Sequence, residues 1–150
     1  MFHDRPDELR VLVIDDDIDA AHSLSYLLQV SGYPTAVAYG GKMGLRLAQL
    51  FKPALVFLDL QMPGEDGCEV LSRAQQDGTL PRALYVCLTG RTDAAAQEKC
   101  LSAGFHFFVH KPMQPEALGE ILRAARSHAG LRRVRSPGSG LPEIVERRAH

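Results

Sequence analysis

Short apolar runs alternate with segments of helical periodicity five times along this chain, and that alternation restricts the fold more than any other feature. RVLVI at 10–14, TAVAY at 35–39, ALVFLD at 54–59, ALYVCLT at 83–89 and FHFFVH at 105–110 read as strands. A helix over 18–31 places Ala21, Leu24, Leu27 and Leu28 on one stripe, and a second over 41–51 repeats Met43, Leu47 and Leu50. A third helix covers about 66–76 with Val70 and Leu71, and a fourth runs from a capping Asp93 to about Ala103. The last starts at Pro115, a residue suited to a first helical turn, and reaches about His128 with Leu118, Ile121, Leu122 and Ala125 inward. Gly32 and Gly104 stop helices. Strict alternation of this kind predicts a parallel sheet covered on both faces, with the nearly continuous apolar runs one, three and four at its centre.

A chain of 150 residues with 45% apolar and 23% charged residues can bury one real core. Net charge is −1, which gives no general attraction to nucleic acid or membrane. The start, MFHDRPDELR, is polar and reads as lacking a secretory leader, and no apolar run approaches a bilayer span. Cys68, Cys87 and Cys100 have no metal or disulfide spacing, which suits a reducing, cytoplasmic setting, with Cys87 a small core residue. Residues 1–8 read as an N-terminal tail and 9–128 as the folded domain. Residues 129–150 hold breakers and five arginines against two glutamates, and read as a flexible basic tail or linker stub.

In open parallel sheets, ligands bind beyond the carboxyl ends of the strands. Asp15 and Asp16 follow the first strand, Asp59 and Thr89 end the third and fourth, and Lys111 follows the fifth. Carboxylates packed together raise one another's pKa unless a cation neutralises them, and an oxygen-only set suits magnesium, with manganese an alternative. The backbone carbonyl of Gln61 is placed in the loop to complete such a shell. An aspartate can attack phosphorus, with Lys111 and the metal neutralising the transferring oxygens. This set reads as a phosphoacceptor site with Asp59 as nucleophile. Individually, each residue has a plainer use: Asp17 caps a helix, Thr89 forms a turn, and Lys111 is solvated. Five on one sheet edge are harder to explain that way. Gly40 and Gly41 lack the lysine and hydroxyl spacing of a phosphate loop. Six scattered histidines show no zinc pair on a helix, although His106 and His110 share strand parity.

VLVIDDD at 11–17, VFLDLQMPGEDG at 56–67, CLTGR at 87–91 and FFVHKP at 107–112 resemble, in order and spacing, the CheY-like receiver domains of two-component response regulators. The likeness covers about residues 9–128. It implies a flavodoxin-like (βα)5 fold, a doubly wound parallel five-stranded sheet of order 2-1-3-4-5. It also implies Asp59 as phosphoacceptor, Asp15 and Asp16 as the magnesium-positioning pair with Asp16 the direct ligand, and Thr89 as the switch hydroxyl. Lys111 resembles the phosphate-contacting lysine, followed by a cis bond to Pro112. Phe108 holds the place of the switch aromatic. Gln61 and Arg91 stand where the family tunes the lifetime of the acyl phosphate. His110 and His106 replace a small or hydroxyl residue and an acidic one, and a surface histidine with no role is the plainer reading of either.

The resemblance implies a histidine kinase or histidine phosphotransfer domain as donor. It implies an output protein bound on the face of the fourth and fifth helices and fifth strand, with the chain a monomer or weak dimer. Such a domain catalyses only its own phosphorylation and dephosphorylation. The 22 residues after position 128 are too few for a DNA-binding domain. This leaves a stand-alone receiver, a phosphorelay shuttle or sink, or a receiver excised from a longer protein. Two other classes compete. One is an interaction module that has kept the fold without phosphotransfer. The other is a small hydrolase, which would need Glu65 or Asp66 as a second acid-base group.

Overall fold

A computed structural model describes residues 8–76, 78, 83–90, 94–130 and 144–146. Its elements run β1 Val11–Ile14, α1 Ile18–Val30, β2 Thr35–Ala38, α2 Gly41–Phe51, β3 Leu55–Asp59, α3 Gly67–Gln76, β4 Leu84–Thr89, α4 Ala94–Ser102, β5 Phe107–His110, α5 Pro115–His128 and β6 Ile144–Glu146. A two-residue hairpin, Gln61–Met62 against Glu65–Asp66, fills the turn between β3 and α3. The first five strands are parallel in the order β2-β1-β3-β4-β5. This is the flavodoxin-like topology, and its strand order reverses between β1 and β3, so the crevice of the sheet opens beside Asp15 and Asp59.

Side-chain alternation sorts the strands into two cores. Val11, Val13, Leu55, Phe57, Val86, Phe107 and Val109 face α1 and α5, where they meet Ala21, Leu28, Leu118 and Ile121. Leu12, Ile14, Val56, Leu58, Cys87 and Phe108 face the other layer, against Ala48, Val70, Leu71 and Cys100 of α2, α3 and α4. Phe57 and Ile121 are fully buried, and such side chains contribute roughly 1.5–3 kcal/mol each. Leu9 is buried too, so the core begins before β1.

Local chemistry explains the ends. Asp17 caps α1 by accepting the Ala20 N–H at 3.2 Å. Gly32 and Gly104 leave their helices at φ of 93° and 115°, a left-handed region open to glycine. The expected cap Asp93 lies outside the described residues.

The structure corrects the sequence reading at three places. On α2, Met43 and Leu50 are 54% and 72% exposed, and the buried face is instead Gly41, Gly44, Ala48 and Phe51. A Cβ at Gly44 would collide with the side chain of Ile14. The helix therefore approaches β1 through its smallest residues, which a search for large apolar periodicity passes over. Within the segment read as a flexible tail, Ile144–Glu146 instead adds a sixth strand, antiparallel to β5.

His106 is the third correction. It precedes β5 and is structural rather than an idle surface group. Its Nδ1 accepts the Tyr85 N–H at 2.9 Å while its own N–H donates to the Tyr85 carbonyl at 2.8 Å. The ring stacks on Tyr85 with centroids 5.9 Å apart. It extends the β4–β5 pairing with a side chain.

Candidate functional site

The carboxyl ends of β1, β3 and β5 bring three carboxylates and one ammonium together. Asp15 and Asp59 are buried, and Asp16 beside them is exposed. One oxygen from each lies within 4.8 Å of the others, the one such group of potential metal ligands among the described residues. The Nζ of Lys111 stands 2.7 Å from an Asp15 oxygen and 3.6 Å from an Asp59 oxygen. The remaining oxygens are held by local backbone: Asp15 accepts the Asp17 N–H at 3.0 Å and Asp59 accepts the Gln61 N–H at 3.2 Å. These turns fix both carboxylates because each is followed at once by a loop whose N–H groups point back.

Burial, opposed by the Gln61 N–H and reinforced by the neighbouring charge of Asp15, pushes the Asp59 carboxyl up from 3.8 to about 6, despite Lys111. Burial alone would lower the Lys111 ammonium, but its pairing with Asp15 and Asp59 outweighs that and raises it. A lone ammonium thus under-neutralises the cluster. Three close carboxylates, one of them open to solvent, are a donor set that fits a hard divalent cation.

Thr89 ends β4 fully buried, opposite His110, and its carbonyl accepts the Lys111 N–H at 2.8 Å. That bond ties the lysine's backbone to the threonine's. The Lys111–Pro112 peptide is cis. Phe108 points into the layer of α2, α3 and α4 and is buried. Gln61 is exposed beyond Asp59, and Arg91 lies outside the described residues. His110 keeps its Nε2 buried with no hydrogen-bond partner among the described residues.

Asp66 is not part of this cluster. It caps α3 through the Cys68 N–H at 2.8 Å and pairs with Lys99 at 2.8 Å, which holds its carboxyl below the usual range. It is therefore poorly suited to the acid-base role that a hydrolase would need. Cys87 and Cys100 are buried; burial together with the Asp66 charge pushes the Cys68 thiol up to about 11, and the Cys100 side chain and burial push the Cys87 thiol up as well, so neither Cys68 nor Cys87 offers a thiolate at neutral pH.

Gly67 is the residue that sequence reasoning missed. A Cβ there would sit 2.8 Å from the Asp59 carbonyl oxygen and 3.0 Å from the Leu60 Cα. Its N–H also donates to the Leu60 carbonyl at 3.2 Å. The start of α3 thus rests directly on the strand end that carries Asp59, a contact that no sequence spacing reveals.

A groove of about 640 Å³ opens beside the cluster, between α1 and the Lys111–Met113 turn. Asp15, Asp17 and Asp19 give it an acidic rim, and Leu24, Leu27 and Met113 give it apolar walls.

The fold and cluster define a receiver domain. The response regulator receiver domain family matches residues 11–123, and this chain belongs to it. The DNA-binding response regulator MtrA of Mycobacterium tuberculosis is 36% identical over 124 residues, which is 83% of this chain and 51% of that protein. The transcriptional regulatory protein AfsQ1 of Streptomyces coelicolor is 34% identical over 114 residues, 76% of this chain and 49% of that one. The chain therefore spans about half the length of the curated relatives it matches.

Among solved structures, the chemotaxis protein CheY4 of Vibrio cholerae aligns with a TM-score of 0.73 at 25% identity, over 79% of this chain and 98% of that one. A response regulator of Burkholderia pseudomallei, solved with a phosphorylated aspartic acid and a calcium ion, aligns with a TM-score of 0.69 at 27% identity, over 82% and 69% of the two chains. No helix among the described residues is long and apolar enough to cross a membrane.

Proposed function

We propose that this receiver accepts a phosphoryl group on Asp59 from a phosphohistidine and uses it to switch a protein-binding surface. The observation that carries this reading is Lys111 Nζ set between two buried carboxylates, 2.7 Å from Asp15 and 3.6 Å from Asp59, with Asp16 open alongside. Asp15, Asp16, Asp59 and the Gln61 carbonyl would hold magnesium or manganese, which when bound supplies charge neutralisation at phosphate oxygens.

An Asp59 oxygen attacks phosphorus as the phosphorus–nitrogen bond of the donor breaks, and the leaving imidazole keeps the electron pair and takes up a proton. Lys111 moves from its carboxylate partners toward the new phosphoryl oxygens. The Thr89 hydroxyl donates to one of them, and Phe108, on the adjoining strand, follows that movement. The face of α4, β5 and α5 changes shape in consequence, a local charge event biasing a two-state surface. Water later attacks phosphorus and returns the carboxylate and inorganic phosphate. Gln61 and Arg91 hold the two sequence positions at which receiver domains tune the rate of that step, and we assign them the same role.

The groove along α1 suits the donor, a histidine kinase or phosphotransfer domain, because it opens directly onto the cluster. Such donors act in the cytoplasm, where we place the chain. We take 9–128 as the receiver unit.

The test is incubation with acetyl phosphate or phosphoramidate and magnesium, followed by intact mass, on wild type and Asp59→Asn. One added phosphoryl in wild type only is the expected result. No adduct, together with no binding of a beryllofluoride analogue, would overturn the reading in favour of an interaction module that works without phosphorylation.

A further inference from the structure

The outer edge of the parallel sheet lies at β5, and this chain occupies that edge itself. Ile144–Glu146 pairs antiparallel, with Glu146 opposite Phe107, Val145 opposite Phe108 and Ile144 opposite Val109. The inner side of β5 belongs to β4, as the Lys111 N–H shows at the strand's end by donating to the Thr89 carbonyl at 2.8 Å in step with the parallel register. Backbone groups alternate sides along a strand, so Phe107 and Val109, like Lys111, turn their N–H and C=O toward β4, and Phe108 between them turns its own outward. Phe108 is the residue that the register matches to Val145. This middle pair is therefore the hydrogen-bonded one, and Ile144 and Glu146 direct their own N–H groups away from β5. The pairing is therefore placed where the edge has donors and acceptors to satisfy.

An open edge is a template for any other extended strand. The three residues that would offer it, Phe107, Phe108 and Val109, are apolar and buried. They include the aromatic on the face expected to meet partners. Fourteen positions separate Gly130 from Ile144, and a chain of that length reaches up to about 45 Å, enough to return from the end of α5 to β5 without a second molecule.

We propose that Ile144–Glu146 is an intramolecular cap on a strand-addition site at β5, which keeps that edge from pairing with β5 of a second copy. Strand addition draws its affinity from main-chain hydrogen bonds, so the cap competes by position rather than by special side chains. The proposal does not depend on phosphorylation of Asp59.

Amide hydrogen exchange on the full chain tests it, compared with a chain ending at Leu141, with Ile144→Pro and with Val145→Pro. The expected result is that the Phe108 amide exchanges about tenfold faster or more in the shortened chain and in Val145→Pro. Ile144→Pro should stay close to wild type, because proline is tolerated where the N–H faces away from the ladder. The Val109 amide, which faces β4, reports that the domain is still folded. Light scattering should show stronger self-association of the shortened chain. Equal exchange at Phe108 in all four chains would overturn the cap. Protection that disappears on dilution would overturn its intramolecular character, since the paired strand would then come from another copy.

Discussion

Two aspartate–lysine pairs of nearly equal length behave in opposite ways. Lys111 meets Asp15 at 2.7 Å and Lys99 meets Asp66 at 2.8 Å. The first pair shares its ammonium with a second carboxylate, and its Asp15 side chain is 1% exposed. The second pair is 60% and 29% exposed. At the buried cluster the carboxylate charge exceeds what one lysine neutralises, and Asp59 rises to about 6. At the surface pair the carboxyl falls below its ordinary range, as a solvated partner requires. Burial and the count of charges, not the distance, turn an ion pair into a chemical site.

Removing the shared cation should have the largest effect. Lys111→Met leaves two buried carboxylates without a partner, and urea denaturation at pH 7 without divalent ions should show a loss of about 3 kcal/mol or more, partly restored by magnesium. Phosphorylation should fall in the same variant. A loss below about 1 kcal/mol would mean that the buried pair behaves like a surface pair.

Asp59→Asn should act in the other direction. The Asp59 pKa is higher in the folded chain than its ordinary 3.8. Between pH 3.8 and about 6 the folded state therefore keeps a proton that the unfolded state has released. Wild-type stability should fall as pH rises through that window, by about 3 kcal/mol in all. The asparagine variant should lack this fall and be the more stable chain at pH 7 without divalent ions. Matching pH profiles for the two chains would remove the charge-crowding account.

A smaller effect tests the join between the two regions, since α3 carries the Asp66 cap at its start and rests Gly67 on the Asp59 carbonyl. Gly67→Ala must push the helix start off the strand end. About 1–3 kcal/mol of stability should be lost by urea denaturation, with slower phosphorylation from acetyl phosphate. Full stability with normal phosphorylation would show that the helix start and the site move independently. The smallest effect belongs to Lys99→Ala. Its thermal midpoint and phosphorylation rate should match wild type, because a solvated ion pair gains little.

Much of this was legible before the structure. The apolar runs at 10–14, 54–59 and 83–89 needed two covered faces, which only central parallel strands have. Asp15, Asp59, Thr89 and Lys111 could be placed on one edge because each stands where an apolar run stops. Other features were hidden for physical reasons. α2 packs through Gly44 and Ala48, and small residues leave no mark in a pattern of large apolar ones. His106 completes a strand pairing with its ring, whereas a sequence reading counts only backbone donors. Ile144–Glu146 is too short to stand out as a strand, and acquires that conformation only because β5 offers it an edge.

Sequence alone determined the order of elements, the two-faced burial of the central strands and the identity of the groups at the carboxyl edge. These follow from local periodicity and from where charge interrupts apolar runs. The tertiary structure decided which of the many carboxylates share one lysine, how far each is withdrawn from water, and that Gly67 lies against Asp59. Those depend on distances between segments far apart in the chain, and the electrostatics of the site follows from the distances.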